Sequence, residues 1–61
     1  MAWVACDKNG EEFIYQKKPY RWRNYWYLDD DSSVGIPKST IKKLIGRELS
    51  WDDEPVELKE E

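Results

Sequence analysis

Asn9-Gly10 divides the first sixteen residues into two runs that suit strands, residues 2–6 and 11–16. The dipeptide is a strong hairpin signal, because a type I′ turn needs positive φ at both central residues. A two-residue loop sets Cys6 opposite Phe13 and Val4 opposite Tyr15. A four-residue loop sets Cys6 opposite Glu11 and Val4 opposite Phe13. These registers differ by two, so both predict Val4, Cys6, Phe13 and Tyr15 on one face and Trp3, Ala5 and Ile14 on the other. A three-residue loop with a bulge would break that grouping. Lys17-Lys18-Pro19 interrupts pairing, because Pro19 has no N–H to donate. From Tyr20 or Arg21 to Leu28 the pattern predicts a third strand. Trp22, Asn24, Trp26 and Leu28 alternate there with Arg21, Arg23, Tyr25 and Tyr27.

The second half reads differently. Residues 29–33, Asp-Asp-Asp-Ser-Ser, predict a polar turn. Val34-Gly35-Ile36 predicts a short extended piece, and Pro37 suits the first turn of a helix. Ile41, Leu44 and Ile45 recur at i, i+3 and i+4 as one apolar stripe. Gly46 is placed to end that helix in the left-handed conformation. The helix of roughly ten residues is too short to stand alone and must dock on the sheet. Leu49 and Trp51 extend the docked region. Ser50 with Asp53 resembles a capped turn, and Pro55 closes it. Val56-Glu57-Leu58 alternates as a last short edge strand, and residues 58–61 should fray. The fold class predicted is α+β: a three- to four-stranded antiparallel sheet, built from the N-terminal hairpin plus a third strand, with one short helix on one face. Residues 1–61 form a single domain.

An antiparallel sheet with one solvated face alternates cleanly, yet here large apolar groups fall on both faces. A single short helix covers only one of them. The segment around Trp51, a second copy or another partner must cover the other.

Composition sharpens the picture. Nine aromatic residues in 61 supply bulk for a small core without staples. Cys6 is the only cysteine and histidine is absent, so internal disulfides and the usual metal-ligand clusters are excluded. No cofactor and no metal are expected. The acidic clusters at 29–31 and 52–54 lack the alternating ligands and central glycine of a calcium loop. Gly35–Thr40 imitates a phosphate loop, but Pro37 stands where a glycine is needed and the spacing is wrong. Without histidine, and with Cys6 in a strand lacking a base partner, no enzyme is expected. No apolar run approaches the ~18 residues of a membrane span. Residues 1–10 do not read as a signal peptide, and the lone thiol suits a reducing cytoplasm.

The net charge of −3 hides alternating blocks. Residues 17–23 and 38–48 are basic, whereas 29–31 and 52–61 are acidic. Exposed Tyr, Trp and Arg favour binding hot spots. Tyr20, Arg21, Trp22, Arg23, Tyr25 and Tyr27 are therefore the candidate protein-contact residues, for a protein partner or a homodimer. The competing reading is single-stranded nucleic acid, with bases stacked on the same rings. Lys17, Lys18, Arg21, Arg23, Lys38, Lys42, Lys43 and Arg47 would meet the phosphates.

The segment GIPKSTIKKLIGRELSWDDEPVEL, together with a Trp-containing first strand, an Asn-Gly turn and a mid-chain Pro-Tyr-Arg, resembles short proteins of gut-type bacteria and their prophages. The resemblance covers most of the chain. It implies a small cytoplasmic protein, carried by a mobile element and without a known activity, and transfers no functional residues.

Overall fold

The computed structural model describes residues 2–29 and 33–59. Six strands and one helix follow in order: β1 (Trp3–Cys6), β2 (Glu12–Tyr15), β3 (Tyr20–Trp22), β4 (Tyr25–Tyr27), β5 (Val34–Ile36), α1 (Thr40–Ile45) and β6 (Val56–Glu57). β5, β2, β1 and β6 form, in that order, a four-stranded antiparallel sheet. β3 and β4 form a separate two-stranded sheet. The α+β class stands. No described helix is long and apolar enough to cross a membrane.

The β1–β2 turn corrects both expected registers. Asp7 N–H donates to the Glu11 carbonyl at 2.8 Å and Gly10 N–H to the Asp7 carbonyl at 2.9 Å. The loop is therefore Lys8-Asn9-Gly10, three residues, with Gly10 at φ 91. This is a turn closed by a glycine bulge rather than a type I′ turn. Only Gly10 adopts positive φ there, because the Asn9 side chain accepts from the Glu11 N–H at 3.0 Å and organises the turn locally. The consequence is a one-residue shift, with Cys6 opposite Glu12, Val4 opposite Ile14 and Trp3 opposite Tyr15. Phe13 and Tyr15 move to the face of Trp3 and Ala5, and Ile14 joins Val4 and Cys6.

Each face then has its own core. On one, Val4, Cys6, Ile41 and Leu49 are buried with Ile14, Ile36, Ile45, Val56 and Leu58 around them. On the other, Ala5, Tyr15 and Trp26 are buried against Trp3, Phe13, Leu28 and Trp51. The helix closes the first face. Trp26 of β4 and Trp51 close the second.

The expected third strand over 20 or 21 to 28 is corrected as well. The chain reverses at Arg23-Asn24, so β3 and β4 pair with each other, and β5 takes the place beside β2. Arg23 adopts φ 49, whereas Asn24 does not adopt positive φ, the sign pattern of a type II′ turn. Backbone groups of the hairpin are engaged by the β1–β2 turn. Lys8 N–H donates to the Asn24 carbonyl at 3.2 Å, and Trp26 N–H to Asp7 Oδ1 at 3.0 Å.

The helix is six residues, Thr40–Ile45, and Pro37 lies outside it. Thr40 N–H bonds the Pro37 carbonyl, and Ser39 is left-handed at φ 74. Ser39 supplies no side-chain cap. The buried Glu12 carboxylate caps instead, accepting from Ser39 N–H at 3.1 Å and Ile41 N–H at 3.0 Å. The expected stripe is also revised. Ile41 is fully buried, but Leu44 is 49% exposed, and Leu49 beyond the helix fills the core. Gly46 ends the helix at φ 82, with its N–H on the Lys42 carbonyl at 2.9 Å, as its position predicts.

Past the helix, Asp53 Oδ2 accepts from Ser50 N–H at 2.8 Å and from its hydroxyl at 3.3 Å. The expected capped turn is therefore formed. The Ser50 N–H bond holds the Asp53 carboxyl below the usual carboxylate range. β6 is an edge strand beside β1, and Leu58 N–H reaches the Ala2 carbonyl at 2.7 Å. Much of the polar turn expected at 29–33, and the last two residues of the expected frayed end, lie outside the described residues.

Candidate functional site

Reversal of the chain at Arg23-Asn24 rearranges side chains in a way that uniform alternation could not indicate. Tyr20 stands opposite Tyr27, Arg21 opposite Trp26 and Trp22 opposite Tyr25. Directly opposed residues share a face. Arg21 and Trp26 therefore point inward, and Tyr20, Trp22, Tyr25 and Tyr27 point outward. The inward pair is committed to the fold. Trp26 is buried, its indole N–H donating to the Cys6 carbonyl at 2.8 Å. Its ring lies 5.6 Å from Trp51 with the planes at 59°. The Arg21 guanidinium sits 4.8 Å from both ring centroids. It also donates to the Asp53 carbonyl at 3.4 Å and pairs with Glu54 at 3.7 Å. This cation is a strut between hairpin and C-terminal segment.

The outward four form a ladder of rings, and each is between 40% and 65% exposed. A hollow of about 310 Å³ lies against Trp22 and Tyr27, which are diagonal neighbours. A smaller hollow of about 170 Å³ is lined by Lys17, Tyr20, Leu28 and Asp29. Arg23, at the turn, holds its guanidinium 5.7 Å from the Trp22 ring. Its φ of 49 is costly for a residue with a β-carbon, and such outliers concentrate at binding and switch sites.

Four of the six residues expected to contact a protein thus share one open surface. Arg23 borders it, and Arg21 faces the other way. The expected nucleic-acid set is divided further. Lys18 lies 5.8 Å from the Trp3 ring. Lys38, Lys42, Lys43 and Arg47 ride on or beside α1, which covers the Val4–Cys6 face. The hairpin covers the opposite face, so the helix cations and the aromatic ladder lie on opposite sides of the sheet. Sequence reasoning missed Asp7 as the residue that seats the hairpin. Its position just before Asn9-Gly10 was the available signal.

A third hollow, about 370 Å³, opens at the sheet end between Cys6, Glu12, Ser39 and Trp51. Cys6 donates weakly to the Asp7 carbonyl at 3.5 Å. Burial, with Glu12 and Asp7 adding negative charge, pushes its thiol up. That is the reverse of what activates a nucleophile. Burial likewise pushes the Tyr15 phenol up. Among the described residues no group of three or more His, Cys, Asp or Glu could hold a metal ion.

Comparison of the chain with protein-family models, with curated proteins and with solved structures found no match in any of the three.

Proposed function

We propose that this chain is a small non-enzymatic interaction module that binds a protein partner through the outer face of the β3–β4 hairpin. The observation that supports this most is the division of the aromatics. Trp3, Phe13, Tyr15, Trp26 and Trp51 complete a core, while Tyr20, Trp22, Tyr25 and Tyr27 are 40–65% exposed on the other face of the hairpin. Tyrosine and tryptophan are the residue types that anchor protein interfaces, and contiguous exposed apolar patches mark interaction sites. The resemblance to prophage proteins suggests a setting, a small cytoplasmic regulator that docks on a host protein.

A random peptide library displayed against the wild-type chain, with a Trp22→Thr/Tyr27→Thr double variant as the counter-target, tests this reading. Peptides enriched on the wild type alone are expected. Equal enrichment on both would remove the docking surface. The competing reading is single-stranded nucleic acid on the same rings, favoured by Arg23 beside Trp22. It requires binding that weakens steeply with salt, and a flat titration with oligothymidine eliminates it.

A further inference from the structure

The hairpin rests on β1, with the Trp26 indole on the Cys6 carbonyl. It leaves the β2–β5 side of the aromatic face partly open. Phe13, whose ring lies over Gly35, is only half-buried there. A fourth hollow, of about 280 Å³, occupies this gap. Phe13 and Tyr15 line it from the sheet and Trp26 from the hairpin, and Asp7 and Ser33 border it. Apolar walls with a few polar groups are the composition of a small-ligand site.

Two of those polar groups have bonding capacity left over. Asp7 Oδ1 accepts the Trp26 N–H at 3.0 Å, whereas Oδ2 has neither a hydrogen bond nor an ion pair among the described residues. Tyr15 is 3% exposed, and its hydroxyl makes no hydrogen bond among the described residues either. No fully buried polar side-chain atom in that set is without a partner, so this oxygen opens on the hollow that Tyr15 lines. The two groups sense each other, since the Asp7 charge adds to burial in pushing the phenol up. Burial also raises the Asp7 carboxyl, the Trp26 N–H opposes it and Glu11 adds to it, with no cation among the causes. A cation placed beside such a carboxylate offsets its desolvation.

Chemistry narrows the kind of cation. A divalent metal ion takes about six or more oxygen ligands, and no group of three or more His, Cys, Asp or Glu could hold one among the described residues. A guanidinium is favoured where both oxygens of a carboxylate are open to it, and here one is held by the Trp26 N–H. An ammonium is a point charge with rotatable donors, and one open carboxylate oxygen with a phenol oxygen suits it. The Phe13 and Tyr15 rings favour a cation near their faces and an alkyl stem along their edges. An anion would be repelled by Asp7 and Glu11.

We infer that the hollow between β2 and β4 binds an alkylammonium group, its nitrogen held by Asp7 Oδ2 and the Tyr15 hydroxyl and its stem against Phe13. A free amine and a lysine side chain of a partner share that chemistry. The site is separate from the outer rings of the hairpin and stands or falls apart from docking there. The test titrates the whole chain, followed by proton–nitrogen NMR, with n-butylammonium, capped lysine, capped norleucine and capped arginine. n-Butylammonium should shift the Trp26 backbone amide and bind about tenfold or more tighter than norleucine. Asp7→Asn, which keeps an acceptor for the Trp26 N–H, should weaken it about tenfold. Tyr15→Phe should weaken it several-fold. In both variants the Ile41 amide, bonded to Glu12 across the sheet, should keep its position as the sign of an intact fold. Capped lysine binding as well as n-butylammonium supports a lysine side chain as the source, and n-butylammonium alone supports a free amine. Norleucine or arginine binding as tightly as n-butylammonium overturns the inference. So does an amide spectrum unmoved by n-butylammonium at roughly tens of millimolar, or binding indifferent to both variants. Binding lost with Trp22→Thr but kept with Asp7→Asn also overturns it, and places the cation on the outer rings instead.

Discussion

The two sides of the four-stranded sheet are closed by different means. A helix covers the aliphatic side and a hairpin covers the aromatic side. A helix turns one stripe inward and a polar back outward, and α1 presents Lys42 and Lys43 to solvent. On that side Leu44 of the helix and Val34 of β5, which stands opposite Ile14, remain exposed. A two-stranded hairpin has two faces, and this one carries rings on both. Using Trp26 to cover the sheet therefore places Tyr20, Trp22, Tyr25 and Tyr27 outside. The apolar excess of the N-terminal half is displaced outward by one layer rather than removed. That is why the candidate surface is on the hairpin and not on the helix.

The largest effect is expected where the hairpin is attached. Trp26→Ala removes the bond to the Cys6 carbonyl, the contact with Trp51 and half of the seat for Arg21. It should cost about 3–5 kcal/mol, comparable with the whole stability of about 3–9 kcal/mol expected for a chain this short. Ile41→Ala on the helix side should cost about 2–5 kcal/mol. Urea unfolding followed by far-ultraviolet circular dichroism measures both. A Trp26→Ala variant within about 1 kcal/mol of wild type would mean that the hairpin is not a structural cover, and the contrast between the faces would fail.

Glu12→Ala should cost about 2 kcal/mol, since it leaves the Ser39 and Ile41 N–H groups without their acceptor. Glu12→Gln keeps one carbonyl oxygen and should cost about half as much. The same unfolding measurement separates the two, and equal losses would argue against capping.

A pH effect is expected at the junction of sheet and hairpin. Burial is the main cause raising the Asp7 carboxyl, and Glu11 adds to it, while the Trp26 N–H acts in the opposite direction. With the folded value above the unfolded one, the contribution of Asp7 is complete below the ordinary carboxylate range. It is lost as pH rises through the folded value. Asp7→Asn keeps an acceptor for Trp26 N–H and carries no charge. Its stability relative to wild type should therefore increase from acid to neutral pH, in unfolding curves taken across that range. A difference that does not change with pH would contradict the desolvation of Asp7.

The smallest effect should be the most informative about function. Trp22→Thr and Tyr27→Thr, at exposed strand positions that threonine suits, should each change stability by no more than about 0.5 kcal/mol while weakening peptide binding. A large loss of stability would show that the outer rings serve the fold.

Several elements were legible in the residues because their causes are local. Gly46 ends the helix because it accepts a left-handed backbone, Asn9-Gly10 turns the chain, and Asp53 caps Ser50 three residues away. The edge strand at Val56 and the excess of apolar groups on both faces were legible too. The hairpin at Arg23-Asn24 was not. Arginine at positive φ is an unfavourable local choice, made acceptable by Trp26 in the core and Asp7 on its N–H. The Glu12 cap was equally hidden, because its partners are 27 and 29 residues away.

Local chemistry along the chain thus determined which segments extend, which turn and where the helix stops, because those preferences act over three or four residues. Tertiary structure decided the register and the faces. One extra residue in the Lys8–Gly10 loop moves Phe13 and Tyr15 across the sheet, and one reversal at Arg23 turns four rings outward. Side chains in strands have a period of two, so a single-residue choice exchanges inside for outside. The burial of Trp26, Tyr15 and Ile41 together favours one outcome, and no local preference is strong enough to do so alone.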